Sequence, residues 1–102
     1  MKRITLVCGA GMSTSLLVVK MNDAAKKLGV EAFIIAVAEA ELKHHIEKTD
    51  VLLLGPQVRF LLNKYKTTYE PKGIKVDVIN SMDYGLMNGE NVLNHALNLL
   101  KG

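Results

Sequence analysis

Apolar runs of strand length alternate along this chain with apolar positions at helical spacing. Ile4 to Val7 is the first run. Leu17, Met21, Ala24, Ala25 and Leu28 then recur at helical intervals, and Gly29 closes that helix as a left-handed cap behind Lys26 and Lys27. Ala32 to Val37 predicts a second strand, followed by a short helix from about Glu39 to Glu47. Val51 to Leu54 has no polar face, the pattern of a central strand covered on both sides. Val58, Leu61, Leu62 and Tyr65 mark a third helix, and Pro71 and Gly73 turn the chain. Ile74, Val76 and Val78 alternate with Lys75 and Asp77, as in an edge strand. Val92, Leu93, Ala96, Leu97 and Leu100 predict a closing helix.

Four strands alternating with helices predict an α/β fold: a parallel sheet with helices on both faces, strand order 2-1-3-4, in one domain spanning residues 1–102. Such sheets place their sites beyond the carboxyl ends of the strands. The candidate loops follow Val7 (Cys8 to Thr14), Val37, Leu54 (Gly55-Pro56-Gln57) and Ile79 (Asn80 to Gly85).

Composition narrows the chemistry. The one cysteine, Cys8, excludes an internal disulfide and a multi-cysteine zinc site. The opening Met-Lys-Arg-Ile-Thr-Leu-Val is strand-like, unlike a secretory signal, and no apolar stretch approaches the ~18–20 residues that span a bilayer. A cytoplasmic protein is expected. The net charge of +3 comes from lysines scattered among acids, with no nucleic-acid signature beside them. Neither cofactor nor metal is expected: His44 and His45 are adjacent and point different ways, and His95 lies well inside the last helix.

The loop Cys8-Gly9-Ala10-Gly11-Met12-Ser13-Thr14-Ser15 carries the chemistry. Two glycines let successive N–H groups curl into one concavity, and a helix starting near Thr14 adds its positive dipole end. A tetrahedral dianion fits there, with hydroxyls of Ser13, Thr14 and Ser15 as further donors. The same field favours the thiolate of Cys8, and a thiolate at a phosphate cradle suggests a covalent thiophosphate. The plainer alternative is a buried inert cysteine followed by a helix cap.

Three familiar loops do not fit. A Walker loop needs Lys before Ser/Thr, but no Lys or Arg occurs from Ile4 through Val19. A dinucleotide fingerprint begins with Gly9-Ala10-Gly11, yet its third small position is Thr14 and the chain is short for that fold. A cysteine-dependent phosphatase requires Arg at position 14, where Thr stands. Without an Arg to stabilise hydrolytic charge, the loop suits a phosphoryl relay better than hydrolysis.

The residues resemble the lactose/cellobiose (diacetylchitobiose) type of enzyme IIB in the bacterial sugar phosphotransferase system, along essentially the whole chain. The resemblance rests on Ile4-Thr5-Leu6-Val7-Cys8-x-x-Gly11-Met12-Ser13-Thr14-Ser15-Leu16-Leu17, on Gly55-Pro56-Gln57-Val58, and on Asp83-Tyr84-Gly85-x-Met87-x-Gly89. It implies that Cys8 takes a phosphoryl group from a histidine of enzyme IIA. The group then passes to a sugar, such as cellobiose, chitobiose or lactose, carried in by the membrane component enzyme IIC. Membrane contact would come only through enzyme IIC. It also implies a phosphatase-like fold, residues 9–15 as the phosphate cradle, and an exposed Met12 crest for docking. Gly55 departs from the Ala that commonly precedes Pro-Gln in such proteins, a change expected to loosen the turn and leave Cys8 untouched.

Gln57 and Tyr84 are candidate rim residues, Gln57 orienting the Cys8 loop or a partner. Asp83 and Glu39 are expected at the surface or as helix caps. The alternatives are a low-molecular-weight phosphatase-like or arsenate-reductase-like enzyme, opposed by Thr14 and the lack of a second cysteine, and a regulatory binding module derived from the sugar system.

Overall fold

Every strand runs the same way in the structure, a computed structural model that describes residues 1–8 and 11–101, with backbone alone at 11–13. The chain order is β1 (Lys2–Val7), α1 (Gly11–Leu28), β2 (Ala32–Val37), β3 (Val51–Leu54), α2 (Leu62–Tyr69), β4 (Lys75–Val78), α3 (Ser81–Gly85) and α4 (Gly89–Lys101). Short 3-10 turns fill Glu39–His44, Ile46–Lys48, Pro56–Leu61 and Glu70–Lys72. The sheet order is β2-β1-β3-β4, as expected, with β4 at an edge.

Alternation along β1 sends Ile4, Leu6 and Cys8 to the face covered by α1 and α4, and Val7 to the face covered by α2 and the 3-10 turns. All four residues of β3 are fully buried, which explains its unbroken apolar sequence. A polar seam between β1 and β3 lies at their amino ends. There Arg3 N donates to Asp50 Oδ2 at 2.9 Å, and the hydroxyls of Thr5 and Thr49 are 2.8 Å apart. The Thr49 hydroxyl donates to His45 O, so Thr5 is the donor of that pair.

Gly29 adopts φ +70°, with Val30 N donating to Ala25 O and Gly29 N to Lys26 O. This is a Schellman closure of α1, as its sequence predicted. Three elements differ from expectation. The helix expected over 39–47 is two 3-10 turns broken at His45, and Ala38 before it offers no side-chain cap. The third helix is 3-10 up to Leu61, because Val58 leaves helical geometry (φ −115°, ψ 22°), and becomes α only from Leu62. The loop Asn80 to Gly85 is largely the helix α3, whose N-cap Asn80 accepts from Met82 N and Asp83 N.

Candidate functional site

One residue past the strand ends, Cys8, Gly55 and Ile79 form a row. Gly55 N donates to Val7 O and Ile79 N to Leu54 O, both at 2.8 Å, so the ladder carries on into the loops and fixes their starts. Cys8 is the free cysteine of this row, 5 % exposed, in an apolar cluster with Leu17, Ile79 and Tyr84. Three residues later in the chain, α1 begins at Gly11 and presents the positive end of its dipole.

That start lies three residues earlier than the expected one near Thr14. Thr14 is therefore a helical residue, 1 % exposed, with Oγ1 3.5 Å from the Tyr84 hydroxyl. Ser15 is exposed. Gly9 and Ala10 lie outside the described residues, as do the side chains of Met12 and Ser13; Gly11 contributes its helical backbone.

Gly55 lines the thiol. A Cβ built on it would stand 2.5 Å from Cys8 Sγ and 2.7 Å from Gln57 Oε1. The backbone there (φ −62°, ψ 153°) is open to any residue, and glycine leaves the space beside the thiol clear. Gln57 is exposed on the rim, with its amide oxygen converging on the same point as the sulfur. Tyr84, the other expected rim residue, is turned inward by α3: it is 8 % exposed, with its hydroxyl 3.5 Å from Thr14 Oγ1.

The rest of the third motif braces this arrangement. Asp83 accepts from Asn91 Nδ2 at 3.1 Å, tying α3 to α4. Gly89 lies so close to Lys20 and Met21 that α4 rests directly on the backbone of α1. Met87 makes the intervening turn at φ +54°. Of the histidines, His95 is 2.8 Å from Asp77 Oδ2, while His44 and His45 are exposed beyond β2. Glu39 is exposed in the first turn after that strand.

The Thr14–Tyr84 contact and the fit of Gly55 to Cys8 escape a linear reading, because each joins residues far apart in sequence. Asn80 did leave a signal: Asn ahead of Ser-Met-Asp is a helix-start pattern.

Residues 3–95 match the family described as PTS system, Lactose/Cellobiose specific IIB subunit. The chain is 42% identical over 100 residues to the oligo-beta-mannoside-specific EIIB component of Bacillus subtilis (strain 168), covering 98% of this chain and 97% of that one. It is 45% identical over 104 residues to the galactose-specific EIIB component of Lactococcus lactis subsp. cremoris (strain MG1363), covering 97% and 96%. The solution structure of a cellobiose-specific IIB component from Borrelia burgdorferi superposes with TM-score 0.80 at 46% identity, covering 98% of this chain and 92% of that one. A YwlE mutant from Bacillus subtilis shares the fold alone, with TM-score 0.60 and 13% identity over the full length of both chains.

Proposed function

Since the chain belongs to the lactose/cellobiose-specific IIB subunit family, and is thus a sugar-specific phosphotransferase-system component, we propose that Cys8 is its phosphoryl carrier. The observation that carries this reading is a lone cysteine at the carboxyl edge of a parallel sheet, three residues ahead of a helix N-terminus. The donor is a phosphohistidine of enzyme IIA. The Cys8 thiolate attacks its phosphorus, the N–P bond breaks and an S–P bond forms. A hydroxyl of the sugar held by enzyme IIC then attacks the same phosphorus. Its proton leaves to a base outside this chain, the S–P bond breaks and the thiolate is regenerated.

The backbone of residues 9–15 holds the phosphoryl oxygens, with the hydroxyls of Ser13, Thr14 and Ser15 as added donors. Tyr84 sets Thr14 from below, and Gln57 orients the thiol edge. The relatives named above serve cellobiose, galactose and oligo-beta-mannosides, which points to a sugar of that kind. Among the described residues no helix is long and apolar enough to cross a membrane. The protein works in the cytoplasm and meets the membrane only through enzyme IIC. The phosphatase-like alternative lacks support at Thr14, and nothing specific favours a purely regulatory module.

The test is intact mass after incubation with phosphoenolpyruvate, the general phosphotransferase proteins and the cognate enzyme IIA. One phosphate is expected on the wild type, mapped to Cys8, and none on a folded Cys8→Ser variant. Phosphate on that variant, or sugar phosphorylation supported by it, overturns the assignment.

A further inference from the structure

We propose that the cleft between the 3-10 turn after β2 and the helix α2 is a binding site for a phosphorylated sugar. It is separate from the thiol. Cys8 belongs to the apolar cluster under α1 and α4, whereas Leu42 and Tyr65 belong to the cluster on the opposite face of the sheet. A phosphorylated sugar is the class of product that the relay forms. Use of the cleft as a sensor of accumulated product rests on the carrier reading; the binding itself does not.

The cleft exists because the segment after β2 winds as 3-10 turns. Such a helix is narrow and stacks residues three apart in one row, so Glu39 and Leu42 share a side, with Lys43 next to them. On α2, Tyr65 and Tyr69 are one turn apart on one face, their ring centres 5.5 Å apart and tilted by 42°. Between these two walls about 560 Å³ stays open, a volume within the range of small-molecule sites.

The lining selects the ligand. Leu42 and the two tyrosines give an apolar and aromatic floor that suits the C–H face of a pyranose ring. Tyr65 is 6 % exposed, and what stays open lines the cleft. Burial first, and then the Glu39 carboxylate, keep its phenol protonated, a donor for a ligand oxygen. Glu39 accepts from ring hydroxyls, while Lys43 and Lys64 donate to a phosphate. Among the described residues none of these three charges is in an ion pair. Two cations against one carboxylate favour an anion, and the carboxylate repels a ligand charged at both ends. A phosphate at one end and hydroxyls at the other meet both conditions.

The test titrates the isotope-labelled protein with glucose-6-phosphate, glucose and inorganic phosphate, and follows amide shifts by NMR. Saturable shifts are expected at residues 39–43 and 64–69. The sugar phosphate should bind with a dissociation constant of about 1 mM or tighter, and each half alone at least about tenfold more weakly. Lys43→Ala combined with Lys64→Ala should weaken binding about tenfold or more, the size of one charged hydrogen bond. Lys20→Ala combined with Lys26→Ala, both exposed on α1, should leave it unchanged. Absence of saturable shifts at about 10 mM sugar phosphate overturns the assignment. So do equal affinity for inorganic phosphate, equal losses in the two lysine pairs, or shifts confined to the Cys8 loop. A folded Cys8→Ser variant should bind like the wild type, so the titration decides this site even if Cys8 proves not to carry phosphate.

Discussion

Adding one methyl group at Gly89 should cost this protein far more than adding the same group at Gly85. A Cβ at Gly89 would meet the backbone of α1, with Lys20 O and Met21 N at 2.6 Å and the Lys20 carbonyl carbon closer still. Against an ordinary contact of about 3.5 Å the overlap is roughly 1 Å. The obstacle is the middle of an 18-residue helix, which cannot yield as a side-chain tip would. α4 must retreat, loosening Val92, Leu93 and Ala96, all at most 1 % exposed. Overpacking of this kind costs about 1–3 kcal/mol, and a backbone obstacle places it at the upper end. For a domain of this size that lowers Tm by about 10–20 °C. Gly85, by contrast, is exposed at the end of α3 with nothing within 4 Å of its Cβ position. Gly85→Ala should stabilise by about 0.4–1 kcal/mol through the unfolded chain and raise Tm by a few degrees. Circular dichroism melts of the two variants check this. A Gly89→Ala melt within about 3 °C of wild type would show that the packing of α4 on α1 is not what glycine serves there.

Two further substitutions probe the surroundings of the site. Asn80→Ala removes the acceptor for Met82 N and Asp83 N and should cost about 1 kcal/mol in urea unfolding; an unchanged midpoint counts against α3 depending on its cap. Tyr65 has its phenol pushed above the usual 10 by burial first, then by the Glu39 carboxylate and by Tyr69. Its folded form holds the proton longer than the unfolded chain. That contribution is complete below about pH 10 and lost as pH climbs through the raised pKa. Tyr65→Phe should flatten the alkaline fall in Tm, and an identical slope in the variant refutes the link.

The sheet was legible because its signals are local. Period-two alternation marked β4, an unbroken apolar run marked β3, and Gly29 behind two lysines marked the end of α1. The helical segments after β2 and β3 were legible in position but not in type. Ala38 and Gly55 bring no side-chain cap, and at Val58 the backbone departs from the helix. α3 has five residues, too few for a periodic signal, and only Asn80 announced it. At the site, Cys8 stood out by its place after the first strand. Its setting did not, because the Gly55 fit and the Tyr84–Thr14 contact depend on strand register and on how α3 folds back.

The polar seam at the amino ends of β1 and β3 has a consequence at their opposite ends. A Val-Leu-Leu-Leu strand buried on both faces carries almost no positional address: slid along its neighbour by one residue, it would bury nearly as much apolar surface. The bond from Arg3 N to Asp50 Oδ2 and the Thr5–Thr49 hydroxyl pair form in only one alignment. That alignment sets Leu54 beside Val7 and so brings Gly55 against Cys8. Three polar side chains at the far end of the sheet, those of Asp50, Thr5 and Thr49, thus act as the index marks by which the thiol, a strand's length away, finds its seat.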